Sequence, residues 1–145
     1  MPKQPMDGYN AQYRFKVSID GMEVADFRSA EGLSVQREVL EVYEGGDNAK
    51  HHKLVGGTRY SNIVLRRGTT DNTELFKWVK ETIDGKITRK NGAIIAVDQA
   101  GDPVSRWEFK NAWPCRYEGP DFVAGNDDVA IESLELAHDG FEMKK

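Results

Sequence analysis

Cysteine is almost absent from this chain of 145 residues, which contains Cys115 alone. A single thiol cannot form an intrachain disulfide, so the stability of the fold does not depend on one. A catalytic thiol needs a neighbouring base and a stabilised thiolate, and no sequence feature points to either. We therefore expect Cys115 to be a small, buried packing residue.

Long apolar runs are also absent. No stretch approaches the roughly 20 apolar residues of a transmembrane helix, so no membrane span is predicted. Residues 1–12, MPKQPMDGYNAQ, are polar and lack the apolar segment of a secretory signal peptide. They are predicted to form a flexible N-terminal arm, and the protein is expected to fold in the cytosol.

The chain has no excess of positive charge. Its 20 lysines and arginines and its 24 aspartates and glutamates give a formal net charge of -4, and the basic residues are spread along the sequence. A nucleic-acid-binding domain concentrates Lys and Arg on one face. No specific nucleic-acid partner is therefore predicted.

The sequence contains no recognisable arrangement of catalytic or metal-binding residues. The pair His51-His52 lies in a predicted loop without an HExxH motif or a cysteine pair, and no Gly-x-Ser-x-Gly sequence marks a hydrolase nucleophile. Gly45-Gly46 and Gly56-Gly57 lack the spacing of a phosphate-binding loop and are interpreted as turn or hinge glycines. We predict no catalytic, metal-binding or cofactor-binding residues, and no enzymatic activity.

Alternation of apolar and polar residues predicts β-strands. Residues 13–19 alternate strictly, as a half-buried strand does, and the following Asp20-Gly21 is typical of a two-residue hairpin turn. A second hairpin is predicted from residues 93–98 and 104–110.

Two longer strands are predicted at 33–43 and 58–67 and are expected to pair with each other. Charged residues interrupt both faces of these strands, so we expect that their own domain covers neither face. A polar, glycine-flanked loop is predicted between them at 44–57, and loops of this length are usually functional.

One helix is predicted after residue 70. Asp71 and Glu74 fit a capping box, and Gly85 is placed to end the helix. Trp78 is interpreted as the core anchor of the helix. The predicted apolar stripe consists of Leu75, Trp78, Val79, Thr82 and Ile83.

The fold class follows from these elements. Residues 111–128 are expected to be irregular, and a last strand is predicted at 129–138. Six or seven strands and one helix, without βαβ alternation, predict a mainly β fold. We expect an antiparallel β-sandwich or barrel with one flanking α-helix, formed by residues 1–145 as a single domain.

The order of several short sequences along almost the whole chain is more specific than any one of them. They are Phe15-x-Val17-x-Ile19-Asp20-Gly21, Phe27-x-x-x-Glu31-Gly32-Leu33, Tyr43-x-Gly45-Gly46, Gly57, Asn62-Ile-Val-Leu65-Arg-Arg67-Gly68, the helix with Trp78, Asn111-Ala112-Trp113-Pro114 and Glu132-x-Leu134-Glu135-Leu136-x-His138. In these residues the chain resembles the inner-tube proteins of contractile phage tails and of phage-tail-like extracellular contractile injection systems.

The resemblance implies a structural role. In that family six copies form a ring, rings stack into a tube inside a contractile sheath, and the sheath drives the tube through a target envelope. The implied partners are other copies of the chain, sheath protein, baseplate or hub and tube-terminating proteins, and luminal cargo or a tape-measure protein. Assembly is expected in the bacterial cytoplasm, as part of a phage tail or of a released or anchored particle, and no cofactor is implied.

Two hypotheses about particular residues follow from the long strands and the loop. Open strand edges favour pairing with other chains, and a ring of copies would pair them around a wet channel. The residues expected to contact the lumen are among Gln36, Arg37, Glu38, Glu41, Arg59, Ser61 and Arg67. The residues expected to reach an adjacent ring or subunit are Gly45, Gly46, Asp47, Asn48, Lys50, His51, His52 and Lys53.

Two other classes of protein remain open at this point. A barrel that binds a small ligand needs an apolar pocket, and the charged long strands count against one. A small hydrolase needs a nucleophile or a metal, and the sequence offers no arrangement of either.

Overall fold

The computed structural model describes residues 14–20, 22–24, 27–43, 51–125 and 130–144. The predicted arm at 1–12, Tyr13 and Gly21 lie outside these ranges. Within them the chain forms ten strands and one helix. These are β1 (Arg14–Ile19), β2 (Met22–Val24), β3 (Phe27–Glu31), β4 (Val35–Tyr43), β5 (His51–Tyr60), β6 (Ile63–Gly68), α1 (Glu74–Ile83), β7 (Lys90–Val97), β8 (Pro103–Glu118), β9 (Ile131–Ala137) and β10 (Phe141–Lys144).

Eight strands form one antiparallel sheet in the order β2-β1-β7-β8-β9-β6-β3, with β10 also paired to β8. The long strand β8 joins the two halves of this sheet, because its first part pairs with β7 and β10 and its last part pairs with β9. Buried side chains from both halves share one core with α1. The predicted mainly β fold, an antiparallel β-sandwich or barrel with one flanking helix, is confirmed. We call the eight-stranded sheet together with α1 the body.

Strand β8 changes partner at a bulge around Asn111. Its φ of 54° is in the left-handed region, which asparagine tolerates better than most residues. The Asn91 side chain accepts a hydrogen bond from the Asn111 N–H at 2.9 Å, and the Asn111 amide donates to Asp139 at 3.0 Å. The prediction that residues 111–128 are irregular is therefore wrong as far as Glu118, because the bulge lets β8 continue through Pro114.

The helix α1 packs on β8 and β2. Leu75, Trp78 and Val79 are buried as predicted, and the Trp78 indole donates to the carbonyl oxygen of Thr88 at 2.8 Å. Ile83 is 68% exposed, so its place in the buried stripe was wrong. Ile83 is the last residue of the helix, and its side chain is exposed to solvent.

The structure confirms the predicted C-terminus of the helix but not the predicted N-terminal cap. At the C-terminus, Gly85 has a φ of 92° and donates to Thr82, while Lys86 donates to Glu81. This is a Schellman motif and confirms that Gly85 ends the helix. The capping box on Asp71 is wrong, because the helix begins later and the side chain of Asn72 accepts from the Glu74 N–H at 2.9 Å.

The predicted hairpins are confirmed. In β1, Val17 and Ile19 are buried while Arg14, Lys16 and Ser18 are exposed, and β1 pairs with β2 next to the turn. The second hairpin is formed by β7 and β8. The last predicted strand is β9, whereas β3 and β10 were not predicted.

The predicted strand 58–67 is in fact two strands. It is interrupted at Ser61 and Asn62, which separate β5 from β6. β5 pairs with β4, whereas β6 lies between β9 and β3 in the body. The single prediction therefore joined an exposed strand to a core strand.

Candidate interaction surface

Strands β4 and β5 form a separate two-stranded antiparallel sheet, which we call the ribbon. All nine residues of β4 are exposed, as expected from the charges on both of its faces. A two-stranded ribbon is marginally stable in water without a surface to pack on. The exposed ribbon is therefore a candidate surface for contact with a partner.

Cross-strand register assigns the ribbon side chains to two faces, since directly opposed residues project to the same side. The first face, which we call the body face, contains Val35, Arg37, Val39, Glu41 and Tyr43 with Tyr60, Thr58, Val55 and Lys53. The second face, the far face, contains Gln36, Glu38, Leu40 and Val42 with Arg59, Leu54 and His52.

Apolar pairs occur on both faces of the ribbon. Val39 lies opposite Val55 on the body face, and Leu40 lies opposite Leu54 on the far face. Val55 is 71% exposed and Leu54 is 50% exposed. Large exposed apolar patches mark interaction sites, so these pairs make both faces of the ribbon candidates for contact with another chain.

A bulge in β5 sets the register of the ribbon. Arg37 is opposite Thr58 and Val39 is opposite Val55, so Gly56 and Gly57 together face Glu38 alone. A Cβ at Gly56 would lie 2.9 Å from the Glu38 Cβ, whereas a Cβ at Gly57 would meet nothing within 4 Å. Gly56 and Gly57, which were interpreted as turn or hinge residues, form a strand bulge, and of these two only Gly56 is required by close packing.

The base of the ribbon packs on the body through aromatic side chains. The rings of Tyr60 and Phe141 meet edge to face with centroids 5.4 Å apart, and Tyr60 is 5.9 Å from His138. Beside them, the Asn62 amide donates to Glu135 at 2.9 Å. Tyr60 belongs to the body face, so at its base this face of the ribbon is turned towards the body.

The residues predicted to line a lumen do not share one surface. Gln36, Glu38 and Arg59 lie on the far face, Arg37 and Glu41 lie on the body face, and Ser61 follows β5. Whether any of them lines a channel stays a prediction. Arg67 must be withdrawn, because it is a core residue of β6 with only 4% exposure.

Arg67 belongs to a buried polar network. Its guanidinium forms an ion pair with Glu132 and donates to the carbonyl oxygen of Asn72 at 3.1 Å, and the Phe27 ring lies 5.9 Å away. The Tyr117 hydroxyl donates to Glu132 at 2.7 Å. Burial, with the help of Glu132, raises the pKa of Tyr117 to about 12. The network ties β6, β8 and β9 to the start of α1.

The predicted loop is shorter than expected. Residues 51–57 form β5, where Tyr43 is opposite His51 and Glu41 is opposite Lys53. Gly45, Gly46, Asp47, Asn48 and Lys50 lie outside the described residues. The assignment of His51, His52 and Lys53 to a loop was wrong, because these residues are paired to β4.

Sequence reasoning missed the apolar part of the ribbon. Leu54 and Val55 lay inside the segment interpreted as a polar loop, and Leu40 was not assigned to a surface. A usable signal was present, since Lys53-Leu54-Val55 can pair with Val39-Leu40-Glu41 in an antiparallel hairpin. Pairing β4 with residues 51–60, and not with 58–67, would have revealed it.

Metal ligands do not cluster in the described part of the chain. Within these residues no group of three His, Cys, Asp or Glu side chains could hold a metal ion. A cavity of about 380 Å³ opens beside β10 and is lined mainly by polar residues, including Asp20, Arg106, Glu108 and Lys110. It is not the apolar pocket that a small-ligand-binding barrel requires.

Cys115 is exposed, so the expectation of burial was wrong. It lies in the bulge where β8 pairs with β9, and its thiol contacts the Glu135 carbonyl oxygen at 3.5 Å. Partial burial and the Glu135 carboxylate raise the pKa of the Cys115 thiol. A thiol with a raised pKa is a poor nucleophile at neutral pH.

The described part of the chain contains no helix that is long and apolar enough to cross a bilayer.

Comparison with known proteins identifies relatives of this fold. The family described as T4-like virus tail tube protein gp19 matches residues 11–142. No curated protein sequence matches the chain.

Several solved structures are similar over nearly the whole chain. A chain of the PVC sheath-tube complex, an extracellular contractile injection system in the extended state, is 28% identical with a TM-score of 0.84, and the match covers 99% of each chain. A chain of the PVC sheath/tube terminator is 28% identical with a TM-score of 0.83, covering 100% of this chain and 98% of that one. A chain of the 6-fold symmetrised anti-feeding prophage baseplate is 25% identical with a TM-score of 0.83, covering 99% and 97%.

Proposed function

Because this chain belongs to the T4-like virus tail tube protein gp19 family, we propose that its copies close into six-membered rings through the ribbon and that the rings stack into the inner tube of a contractile tail or injection system. The protein is a structural tube subunit. The observation that carries the proposal is the ribbon itself, with apolar pairs on both faces and two strand edges that no other described strand covers.

The edges of the ribbon suit a head-to-tail contact. The outer edge of β4 and the outer edge of β5 are different surfaces, so pairing β4 of one copy with β5 of the next repeats the same contact around a ring. Such heterologous contacts either close into rings or continue as filaments. The 6-fold symmetry stated for the anti-feeding prophage baseplate supports closure after six copies.

We propose that the far face lines the lumen. At its base the ribbon turns its body face towards the body through Tyr60 and Phe141. If ribbons form the inner wall of the tube and the bodies surround them, the opposite face is directed at the axis. Of the residues predicted to contact the lumen, Gln36, Glu38 and Arg59 then do so. Arg37 and Glu41 instead contact a neighbouring copy.

The proposed partners follow from the relatives. PVC relatives are found in a sheath-tube complex and in a sheath/tube terminator, and another relative is found in a baseplate. We propose sheath, terminator and baseplate proteins as partners of this chain, and protein cargo, DNA or a tape-measure protein as occupants of its lumen. We also propose assembly in the bacterial cytoplasm and the absence of enzymatic activity.

The segment that joins β4 to β5 completes the proposal. Gly45, Gly46, Asp47, Asn48 and Lys50 would reach an adjacent ring or subunit from the tip of the ribbon. Deleting most of this segment should leave folded monomers that do not grow into tubes. Tubes of normal length from the deletion variant would refute this role.

Electron microscopy of the purified protein tests the proposed function. We expect rings or tubes of uniform width from the wild type and folded monomers from Val55→Asp, which puts a charge on the exposed apolar pair of the body face. Ile83→Asp on the exposed side of α1 is the matched control and should still form rings. Monomers of the wild type at the highest attainable concentration would contradict the proposal.

A density map of the tubes tests the assignment of the faces. The far-face residues Gln36, Glu38 and Arg59 should project towards the tube axis. A map in which Arg37 and Glu41 point to the axis would refute the assignment while leaving the tube itself intact.

A further inference from the structure

Two short connectors join the ribbon to the body. Residues 32–34 lead from β3 into β4, and residues 61–62 lead from β5 into β6. The Ser61 N–H donates to the Ser34 carbonyl oxygen at 3.1 Å, so the two connectors are held side by side. The backbone directions of these connectors decide where the ribbon points.

His138 bridges one connector to the body. One ring nitrogen, Nε2, lies 2.8 Å from the Ser61 carbonyl oxygen, and the other, Nδ1, lies 3.0 Å from the Gly140 backbone nitrogen. The Gly140 N–H is a donor, so Nδ1 must be its acceptor and carries no proton. Nε2 therefore carries the proton of the neutral ring and donates it to Ser61.

The body side of this bridge is rigid. The Asp139 N–H donates to the Lys110 carbonyl oxygen at 3.0 Å, and the Lys110 N–H donates to the Gly140 carbonyl oxygen at 3.1 Å. Gly140 has a φ of 134°, and a Cβ there would lie 3.1 Å from the Tyr60 ring. The turn at residues 138–140 is thus hydrogen-bonded to β8, and it holds the imidazole ring of His138 in place.

We propose that His138 is a positioning residue that sets the direction of the ribbon through its hydrogen bond to the Ser61 carbonyl, and that ring assembly depends on this bond. This inference rests on the proposed assembly through the ribbon. Six copies close a ring only if every ribbon leaves its body at the same angle. A ribbon that swings at its connectors would lose that geometry without any loss of the body core.

The other contacts at the base of the ribbon are less able to fix its angle. Tyr60 and Phe141 touch through apolar ring contact, which tolerates sliding. The bond from Asn62 to Glu135 is made by the asparagine side chain, so it leaves the backbone free to turn. The bond from His138 ends on a backbone carbonyl of the connector, whose orientation changes with any rotation of the chain.

Two substitutions of His138 separate the two hydrogen bonds that its side chain makes. In H138N, the side-chain oxygen can take the place of Nδ1 and accept from Gly140, but nothing reaches Ser61. In H138Q, the amide nitrogen can take the place of Nε2 and donate to Ser61, while the acceptor for Gly140 is lost. The pair therefore tests which bond controls assembly.

The first measurement is the protein concentration at which tubes form. We expect H138Q to stay near the wild-type value and H138N to need about tenfold more protein, since a lost hydrogen bond weakens the closing contact of every subunit. Equal behaviour of the two variants, whether both assemble or both fail, would overturn the proposal. Failure of the wild type to form tubes would instead refute the proposed function.

The second measurement needs no tubes. Spin labels on Val55→Cys in the ribbon and Lys77→Cys in α1, in a Cys115→Ser background, report the ribbon-to-body distance in monomers. We expect a narrow distance distribution with His138 and in H138Q, and a broad one in H138N. A distribution that is equally narrow in H138N would overturn the proposal.

Discussion

Adding one methyl group to the ribbon at Gly56 should raise the protein concentration at which tubes form without unfolding the protein. In the bulge of β5, an added Cβ would lie 2.9 Å from both the Cβ and the carbonyl oxygen of Glu38. Gly57, the next residue, has open space at the same position. The variants Gly56→Ala and Gly57→Ala thus make the same chemical change at adjacent positions, and only the first collides with β4.

The size of the effect follows from the contact distance. Non-bonded carbon atoms attract best at about 3.5–4.0 Å, so the backbone at Gly56 must move away from Glu38 by at least about 0.6 Å. Overpacking of this kind costs about 1–3 kcal/mol. If this energy weakens the contact between neighbouring subunits by the same amount, the protein concentration needed for tubes rises by about five- to 150-fold.

Sedimentation of tubes at increasing protein concentration measures this change. Gly56→Ala should pellet only at concentrations well above those that suffice for the wild type and Gly57→Ala. Circular dichroism and urea unfolding of the monomers should be alike for all three proteins, because the ribbon lies outside the core. Equal pelleting of the two variants would refute the reasoning, since it would mean that the register of the bulge does not matter for assembly.

Other predictions concern the body and its cysteine. Glu132→Leu leaves the guanidinium of Arg67 buried without its carboxylate and should lower the free energy of unfolding by about 3–5 kcal/mol. The double variant Arg67→Met/Glu132→Leu should recover much of the lost free energy of unfolding, as measured by urea titration. An equal loss in both variants would count against the network. The neutral form of Tyr117 is favoured in the folded state, with a pKa of about 12 against an ordinary value of about 10. Its contribution to stability is therefore complete below pH 10 and is lost as the pH rises through 12, so wild-type stability should fall more steeply than that of Tyr117→Phe above pH 10, and parallel curves would contradict the assignment. Cys115 should react with a disulfide reagent more slowly than free cysteine, and Glu135→Gln should speed the reaction; no change in Glu135→Gln would show that its carboxylate does not affect the thiol.

The sequence predicted those parts of the fold that depend on local pattern. Val17 and Ile19 alternate with polar residues because one face of β1 lies on the core, and Trp78 falls on the buried side of α1 for the same reason. The full exposure of β4 was also predictable, because charges on both faces exclude burial by the same domain. The end of the helix followed from Gly85, since its left-handed conformation is easily reached only by glycine.

The errors arose where distant residues decide the local structure. β8 continues through Pro114 because Asn111 forms a bulge held by Asn91 and Asp139, and nothing in the local pattern indicates these partners. Arg67 looked like a surface charge, but Glu132, 65 residues later, neutralises it in the core. Such pairings depend on the tertiary fold, so a charged strand residue alone could not reveal them.

Residue roles in the ribbon were only partly predictable. The charges of β4 led to the prediction that it lines a channel. The two faces of the ribbon became distinguishable only from the register with β5 and the contact of Tyr60 with Phe141. The bulge at Gly56 shifts that register by one residue. Neither feature can be derived from β4 alone.

Amide hydrogen exchange in monomers and in assembled tubes tests most directly the claim that neighbouring copies complete the ribbon. In monomers, the amides of residues 35–43 and 51–60 should exchange quickly, because a two-stranded ribbon without a packing surface opens easily. In tubes, the same amides should become strongly protected as the strand edges pair and the body face is covered. Protection that increases only in the body, while the ribbon exchanges at the same rate in both forms, would contradict the account.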